Sequence, residues 1–315
     1  MKVGITGGSG FVGRALFEQL KLLNLVEIGR SEVFEGRNDF ISYDLCSNTD
    51  VVDSLKSLDV VIHCAARVHV MEDTVNEPLE EYRKVNTIGT LNLARQAIAA
   101  GVHRFIFISS IKVNGESTSI GKPFTRSEFR KPEDFYGQSK SEAEEQLLAL
   151  AEETGLEVVI IRPTLVYGPG VKANFASLLN LVSKGFPLPF GCITDNKRSL
   201  VSVNNLVDLI VTCIDHPKAA NEVFLVSDDH DVSTASMVKQ MSQALGKSCR
   251  LLPVPLWCYR LIGKLTGKMD VVDRLLGSLQ VDITHTKDTL GWIPPQTLED
   301  GFKETAKDFL LNKNK

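Results

Sequence analysis

The sequence lacks three features that define common classes of protein. Its six cysteines are far apart and form no C-x-x-C pair, which argues against a disulfide framework or a metal (zinc) site and for reduced thiols in the cytoplasm. No apolar run approaches the ~18 residues of a membrane-spanning helix. No basic tract appears in a chain of net charge -4. We therefore expect neither membrane insertion nor nucleic-acid binding.

What the chain does contain is an ordinary globular composition, with 43% hydrophobic and 23% charged residues among 315. This length suffices for a full core in one large or two smaller domains. A strand-like segment, KVGIT, follows Met1 directly and leaves no room for a signal peptide. The sequence predicts a soluble, cytoplasmic protein.

Short β-branched runs alternate with helix-patterned segments in the first half of the chain. The predicted strands are KVGIT, LVEIGR, DVVIHCAA, RFIFISS and LEVVIIRP, the last stopped by Pro163. Helices are predicted at GFVGRALFEQLKLL and at TIGTLNLARQAIAAG, which Gly101 ends. Such alternation predicts an α/β fold, a Rossmann doubly wound parallel sheet. We place a dinucleotide-binding domain at residues 1–167, to which segments within about 199–228 return, and a smaller substrate-binding lobe at 168–315.

A glycine-rich turn, TGGSGFVG, follows the first predicted strand. Gly7 permits a tight turn, Gly10 lets a pyrophosphate approach the backbone, and Gly13 lets the helix pack closely on the sheet. The helix N-terminus, with Phe11 and Val12 in its first turn, would point at the phosphates. With a strand before it and a helix after it, this pattern predicts a dinucleotide site.

The end of the second predicted strand bears on the choice between NAD and NADP. An acidic residue there would bind the ribose 2′-hydroxyl of NAD, but the strand ends at Arg30, and Glu27 lies inside it. A guanidinium suits a 2′-phosphate, so NADP(H) is favoured and NAD(H) is the alternative. Arg30 stacked on the adenine of either cofactor is the other interpretation. We also expect the cofactor to contact Asp44, Leu45, Ala65, Ala66 and Pro163.

A tyrosine and a lysine lie one helical turn apart in YGQSK. A phenol with a pKa near ~10 is a poor base at neutral pH. The ammonium of Lys140 and a nicotinamide cation would favour the phenolate of Tyr136, which could then take a proton from a hydroxyl as hydride leaves its carbon. By spacing alone the pair could belong to a charged surface helix. The glycine motif and the ISS segment after a buried strand favour chemistry.

Together these motifs resemble those of the extended short-chain dehydrogenase/reductases, in the branch of nucleotide-sugar epimerases, dehydratases and reductases. The resemblance implies that Ser110, rather than its neighbour Ser109, holds the reacting oxygen beside Tyr136 and that Lys140 also reaches the nicotinamide ribose. It also implies that Asn86 supports the active site beside the cofactor, although an ordinary polar role is equally open. The matching segments are TGGSGFVG, HCAA, KVNTIGTLNLARQA, ISSIKVNGE, YGQSK, RPTLVYGPG and LGWIPP.

Two departures from the family pattern narrow the reaction. Ile111 and Lys112 follow Ser110, where sugar dehydratases carry two acidic residues, so we do not expect dehydration. Leu165 lies three residues after Arg162, where 4-epimerases carry an asparagine, which puts a standard epimerase site in doubt.

We predict an NAD(P)-dependent oxidoreductase acting at C4 of a UDP-hexose or N-acetylhexosamine. ISSIKVNGE and LLGSLQVDI most resemble the 4-keto-sugar reductases of O-antigen or polysaccharide precursor synthesis. The alternatives are a UDP-glucose or UDP-GlcNAc 4-epimerase with tightly held NAD and, remotely, a non-catalytic dinucleotide-sensing regulator. The family also implies a homodimer. Four residues are candidate contacts for the UDP-sugar substrate: Lys112, Asn174, Arg198 and Arg274.

The segment LLPVPLWCYRLIGKLTGK, residues 251–268, combines aromatic and basic residues. Such a composition suits contact with a membrane surface. It also suits a helix that covers the core of the second lobe, and we favour this second interpretation.

Overall fold

A seven-stranded parallel sheet forms the centre of the computed structural model, which describes residues 1–21, 23–34, 36, 39–47, 49–68 and 77–313. A second sheet of three short strands lies in the later part of the chain. In chain order the strands of both sheets are β1 (Lys2–Thr6), β2 (Asn24–Gly29), β3 (Asp39–Ser42), β4 (Val60–His63), β5 (Arg104–Ile108), β6 (Glu157–Pro163), β7 (Leu165–Tyr167), β8 (Arg198–Ser202), β9 (Glu222–Val226) and β10 (Asp231–Val232).

The large sheet has the strand order β3-β2-β1-β4-β5-β6-β9, with every neighbouring pair parallel. The chain runs outward from β1 to β3 and then crosses to β4, on the other side of β1. Val3 accordingly pairs with Leu25 on one side and Val60 on the other. The loops after β1 and β4 therefore diverge at the carboxyl edge and leave a crevice, as in other doubly wound sheets. The predicted Rossmann architecture is confirmed.

Helices cover both faces of this sheet, which explains why its central strands are continuous apolar runs. All five residues of β5 and all but the first of β6 are buried. Of the predicted strand RFIFISS, only Arg104–Ile108 forms the strand, and the two serines follow it. The helices are α1 (Phe11–Gln19), α2 (Val52–Leu55), α3 (Pro78–Tyr82), α4 (Thr90–Ala99), α5 (Phe135–Thr154), α6 (Ala173–Ser183), α7 (Val203–Asp215), α8 (Thr234–Ala244), α9 (Leu256–Thr266), α10 (Met269–Leu276), α11 (Thr284–Leu290) and α12 (Leu298–Lys313).

The helix predicted from TIGTLNLARQAIAAG starts earlier than expected. It begins at Pro78 as α3 and passes through a π-helical stretch, Arg83–Gly89, into α4. The charged sequence of α3 hid its start, although Tyr82 is buried there. The predicted end is confirmed, because Gly101 takes the left-handed conformation, φ +85°.

The second lobe packs α6, α8 and α12 around an aromatic core. Tyr167, Phe175 and Phe302 lie within 6 Å of one another by ring centroids. The small sheet, in the order β10-β8-β7, was not predicted, because its strands have only two to five residues. The boundary between the two lobes stays a prediction.

The helix expected to cover the core of the second lobe does so only in part. Tyr259 packs against that core, but Gly263 is the only residue of α9 that is buried. Several large apolar side chains of α9 point away from the protein core. No helix within the described ranges is long and apolar enough to cross a membrane.

Candidate active site

The glycine turn after β1 closes so tightly that side chains are excluded from it. The amide of Gly10 donates to the carbonyl of Gly7 over 2.9 Å, and Gly7 has φ +77°. A Cβ on Gly13 would lie 2.1 Å from the Gly7 oxygen, and one on Gly7 would lie 2.7 Å from the amide nitrogen of Ala65. The backbone is thus bare where α1 begins, which fits a pyrophosphate at a helix N-terminus.

A cleft of about 750 Å³ extends from this turn along the carboxyl edge of the sheet. Such a volume accommodates a dinucleotide-sized ligand. Thirteen of the fourteen residues predicted to contact the cofactor line it: Gly7, Gly10, Phe11, Val12, Gly13, Arg30, Asp44, Leu45, Ala65, Ala66, Tyr136, Lys140 and Pro163.

Asn86, the fourteenth, lies behind the cleft rather than in its wall, so the expectation that it borders the cofactor needs correction. Its side chain is fully buried and exchanges two hydrogen bonds with the backbone of Arg67, of 2.8 and 3.0 Å. It also donates to Ser139 Oγ over 3.0 Å, and that hydroxyl donates to the Tyr136 carbonyl. Asn86 is therefore a positioning residue that joins the loop after β4 to the start of α5.

The rim of the cleft near β2 carries two charges of opposite sign. Arg30 is exposed just beyond the strand, as predicted. Glu27 also lines the cleft, but it is 2% exposed and its carboxylate accepts the amides of Val33 and Phe34, over 3.0 and 3.2 Å. Nearby, the hydroxyl of Tyr43 is buried without a hydrogen-bond partner in the described residues. A ligand that forms a hydrogen bond with the Tyr43 hydroxyl would supply this missing partner.

Tyr136 lies in the first turn of α5, which Asp134 caps by accepting the amide of Gly137 over 2.7 Å. Its ring meets Tyr82 edge to face, with centroids 6.4 Å apart. Burial raises the pKa of the Tyr136 phenol well above its ordinary value, and the nearby Asp134 and Tyr82 add to this. The phenol therefore stays protonated at neutral pH unless a positive charge is brought close.

Lys140 is almost completely buried, with 1% of its surface exposed. Its Nζ donates to the carbonyl of Ile108 over 2.9 Å and lies 4.3 Å from the centroid of the Phe107 ring. Burial lowers the pKa of Lys140 to about 7, against the opposing effects of Cys64 and Glu144. A small change in the charge of the cleft would therefore change the charge of Lys140 at neutral pH.

The two serines after β5 have separate surroundings. Ser109 is buried, and its hydroxyl donates to Glu144 over 2.5 Å. Ser110 is half-buried, and its Oγ accepts the Lys112 amide over 3.3 Å. That bond uses a lone pair, so the Ser110 hydroxyl hydrogen can be donated to a ligand. Ser109 lines the cleft and Ser110 is absent from its described lining, but the Ser109 hydroxyl hydrogen is already engaged by Glu144. The choice of Ser110 as the group that meets a reacting oxygen therefore stays a prediction, supported by its available hydroxyl hydrogen.

A buried ion pair that sequence reasoning missed lies behind these residues. Arg162 donates from Nε to Glu144 over 2.9 Å and from Nη1 to Asn114 over 3.0 Å. The charged side chains of Arg162 and Glu144 are 3% and 0% exposed, respectively. Arg162 is consequently held inside the fold, away from any substrate. The signal was present in the sequence, since Glu144 lies one turn after Lys140 on the same face as the buried Leu147.

His63, at the end of β4, forms part of the floor beneath the cleft. Its Nδ1 lies 2.7 Å from Thr6 Oγ1, and its Nε2 lies 2.9 Å from Thr90 Oγ1. Burial, together with the charge of Lys140, lowers the pKa of His63 to about 3. This imidazole is neutral at physiological pH, and its two ring nitrogens join Thr6 of β1 to Thr90 of α4 by hydrogen bonds.

The four candidate substrate residues are absent from the described lining of the cleft, and the structure brings only two of them, Arg198 and Arg274, into contact in the described residues. Lys112 is half-buried and bonds Asp134 and Glu116, over 2.5 and 2.8 Å. Asn174 is exposed in the first turn of α6. Lys112 therefore lies beside the start of α5, because its partner Asp134 caps that helix.

Arg198 and Arg274 are brought together. Arg198 Nη1 donates to the backbone carbonyl of Arg274 over 2.7 Å, and burial and the charge of Arg274 both lower the pKa of Arg198. Arg274 itself is exposed on α10. Two close guanidinium groups would attract an anion such as a diphosphate.

The sheet order, the glycine turn and the tyrosine–lysine pair that lines the cleft define a dinucleotide-dependent enzyme with a Rossmann domain. The model of the NAD dependent epimerase/dehydratase family matches residues 3–227, and the chain belongs to that family. Over 99% of its length the chain is 63% identical to UDP-glucose 4-epimerase of Vibrio cholerae, 96% of which is covered. The predicted NAD(P)-dependent enzyme of the extended short-chain dehydrogenase/reductases is thereby confirmed, whereas the preference for NADP(H) stays a prediction.

Solved structures support the same fold. UDP-N-acetylglucosamine 4-epimerase from Bacillus cereus has a TM-score of 0.80 at 18% identity, with 99% of each chain covered. UDP-glucuronic acid 4-epimerase from Bacillus cereus, in complex with NAD, has a TM-score of 0.78 at 20% identity, again with 99% of each covered. At these identities the likeness concerns the fold alone.

Proposed function

We propose that this protein is a UDP-sugar 4-epimerase that retains an NAD-type dinucleotide through the reaction. The observation that carries the proposal is the 63% identity, over 99% of the chain, to the UDP-glucose 4-epimerase of Vibrio cholerae. The cleft supports it, because Tyr136 and Lys140 line the same cavity as the glycine turn. This reading replaces the 4-keto-sugar reductase as our first choice.

In this reaction Tyr136 removes the proton of the C4 hydroxyl as hydride leaves C4. The same phenol returns a proton to the C4 oxygen when hydride is added to the opposite face of the C4 ketone. The nicotinamide, when bound, supplies the acceptor and then the donor of hydride. Ser110 donates a hydrogen bond to the C4 oxygen and holds it beside the phenol. No net oxidation results, since the hydride lost from C4 is the hydride regained.

Lys140 tunes the proton transfer. Burial raises the pKa of the Tyr136 phenol, so proton removal needs a compensating positive charge. The pKa of Lys140 is about 7, and a bound ligand with negative phosphates would favour its ammonium form. The charge of Lys140 and of an oxidised nicotinamide would then together stabilise the phenolate.

The remaining contacts of the UDP group stay proposals. Arg198 and Arg274 are suited to the diphosphate, because their charges are close together and one of them is exposed. Asn174 would approach the same group from the first turn of α6. Lys112 is paired with two carboxylates, which supports a role in orienting Asp134 and the start of α5 more than direct contact with substrate.

The 4-keto-sugar reductase is the second candidate, favoured by two specific observations. Arg30 is exposed at the rim of the cleft, in the position suited to the 2′-phosphate of NADPH, a coenzyme that must dissociate after each turnover. Leu165 also favours the reductase, because 4-epimerases carry an asparagine at this position. Leu165 is half-exposed on β7.

One experiment separates the two candidates. The purified protein would be incubated without added coenzyme with UDP-glucose or UDP-GlcNAc, and the 4-epimers would be separated by chromatography. The epimerase reading predicts interconversion and a dinucleotide that can be extracted from the protein and identified as NAD or NADP. Tyr136→Phe should lower turnover about 10³-fold, because it removes the proton-transferring oxygen.

The reductase reading predicts the opposite result. With a UDP-4-keto-6-deoxy-N-acetylhexosamine and NADPH, it requires loss of one NADPH absorbance equivalent per product and no epimerisation of UDP-glucose. Absence of both activities would overturn both candidates. Unchanged turnover in Tyr136→Phe would overturn the catalytic assignment, provided that the variant unfolds at the wild-type temperature.

A further inference from the structure

Helix α9 exposes an unusual amount of apolar surface. Trp257, Leu261 and Leu265, at spacings of four residues, form one stripe along the helix and are 64%, 48% and 78% exposed. A surface helix normally turns such a stripe toward the core. Here only Gly263 of α9 is buried, at a point where a Cβ would lie 2.8 Å from Val272 of α10, and Tyr259 packs partly against the core.

Further exposed apolar residues lie on the same two helices or shortly before them in the chain. Leu252 precedes the helix, Ile262 lies on it and Val271 lies on α10, which packs against α9 at Gly263. We call these side chains the α9–α10 face: Leu252, Trp257, Leu261, Ile262, Leu265 and Val271. Exposed apolar surface of this kind marks an interaction site.

The charge around the face is opposite in sign to that of the whole protein. Residues 247–274 contain six basic and two acidic side chains, a net charge of +4, in a chain of net charge -4. Helix α9 itself contains Arg260 and Lys264 and no acidic residue. The complementary partner is therefore an extended negative surface with an apolar interior.

We propose that the α9–α10 face docks this protein on an anionic lipid bilayer, lying in the headgroup region without spanning it. Tryptophan, leucine and lysine or arginine on one helix are the composition that binds this interface. Basic side chains next to the apolar stripe add attraction to anionic headgroups. A symmetric contact with a second copy would instead oppose two regions of net charge +4, which is unfavourable.

Docking would also orient the second lobe. Arg198 donates to the Arg274 carbonyl over 2.7 Å, and Asn196 donates to the Gly277 carbonyl over 3.2 Å. These bonds tie the end of α10 to β8 and the segment just before it. The proposed diphosphate contacts would thus lie near the membrane surface. The docking proposal does not depend on which sugar reaction the protein performs.

Flotation of the full-length protein with lipid vesicles tests the proposal. We expect binding to vesicles of phosphatidylcholine with phosphatidylglycerol, weaker binding to phosphatidylcholine alone, and release by high salt. The double variant Leu261→Ser/Leu265→Ser should bind the anionic vesicles at least about tenfold more weakly, because two apolar insertions are lost. The matched control is Ile293→Ser, 72% exposed beside α11, which should bind like the wild type.

Two further measurements keep the outcome decisive. Trp292 is buried, so quenching by brominated lipid should come from Trp257 and should disappear in Trp257→Ser. Arg260→Glu/Lys264→Glu, on the exposed side of α9, should lose the preference for anionic vesicles while keeping the wild-type unfolding temperature. The proposal is overturned if no vesicle binds the wild type or if the Leu261/Leu265 variant and the Ile293 control behave alike. It also fails if the α9 variants abolish self-association or binding of a protein partner in the absence of any lipid binding.

Discussion

The Nζ of Lys140 donates a hydrogen bond of 2.9 Å to the carbonyl of Ile108, the last residue of β5. This bond joins the helix that carries the tyrosine–lysine pair to the strand that ends at the two serines. Because Ser110 follows two residues later, the proton-transfer groups and the serine share one rigid support. A rigid support of this kind keeps the proposed catalytic groups at fixed distances from one another, as a catalytic site requires.

The neighbouring serines should separate in function and stability. Ser110→Ala should lower turnover about 10²-fold at an unchanged unfolding temperature, because it removes a hydroxyl that meets the substrate oxygen. Ser109→Ala should instead destabilise the fold by about 1–3 kcal/mol, because buried Glu144 loses a hydrogen bond. Turnover and urea unfolding of both variants provide the comparison. Equal effects of the two changes would contradict the assignment.

The Glu144–Arg162 pair should show strong energetic coupling. Glu144→Gln or Arg162→Met alone should each destabilise the protein by about 3–5 kcal/mol, because each leaves the partner charge buried. The double variant should lose clearly less than the sum. Urea unfolding of the four proteins in the cycle measures the coupling energy. Arg130 lies 3.4 Å from Glu144, so Arg130→Met is a control for partial compensation by a second cation. Additive losses would show that the pair is not coupled.

Two glycines of the turn after β1 should differ in their tolerance of a methyl group. A Cβ at Gly13 would lie 2.1 Å from the Gly7 oxygen, whereas one at Gly10 would lie 3.1 Å from the same atom. Gly13→Ala should therefore both lower the unfolding temperature and abolish retention of the dinucleotide. Gly10→Ala should weaken dinucleotide binding with a smaller change in stability. Thermal unfolding with and without added coenzyme distinguishes these outcomes, and wild-type behaviour of Gly13→Ala would refute the geometry.

His63 should contribute to acid sensitivity. Its pKa in the folded protein is about 3, so between the ordinary histidine pKa near ~6.5 and that value the unfolded chain binds a proton that the folded chain does not. The resulting stability is complete above ~6.5 and is lost as pH falls toward 3, at up to about 1.4 kcal/mol per pH unit. His63→Gln should make the dependence of unfolding free energy on pH shallower between those values, as urea titrations at several pH values would reveal. An unchanged slope would mean that another group causes the acid loss.

Much of the Rossmann domain was predictable because its signals are local. The buried strands are continuous apolar runs, which predict the sheet. The spacing of the glycines predicts the turn after β1, and thirteen of the residues predicted around it and along the strand ends line the cleft. The short strands β7, β8 and β10 gave no such signal, since two to five residues carry too little periodicity to be distinguished from loop. The start of α3 was missed for a related reason, because it is held by packing of Tyr82 rather than by its own pattern.

The sequence by itself determined the doubly wound sheet and the glycine turn at its carboxyl edge, and it predicts Tyr136, Lys140 and Ser110 as the reactive groups. Only the tertiary structure decided that Asn86 supports rather than borders the cleft and that Arg162 is buried against Glu144. It alone showed that α9 faces outward. These features depend on which elements meet in space, and contacts between residues distant in the chain leave no periodic trace in the sequence.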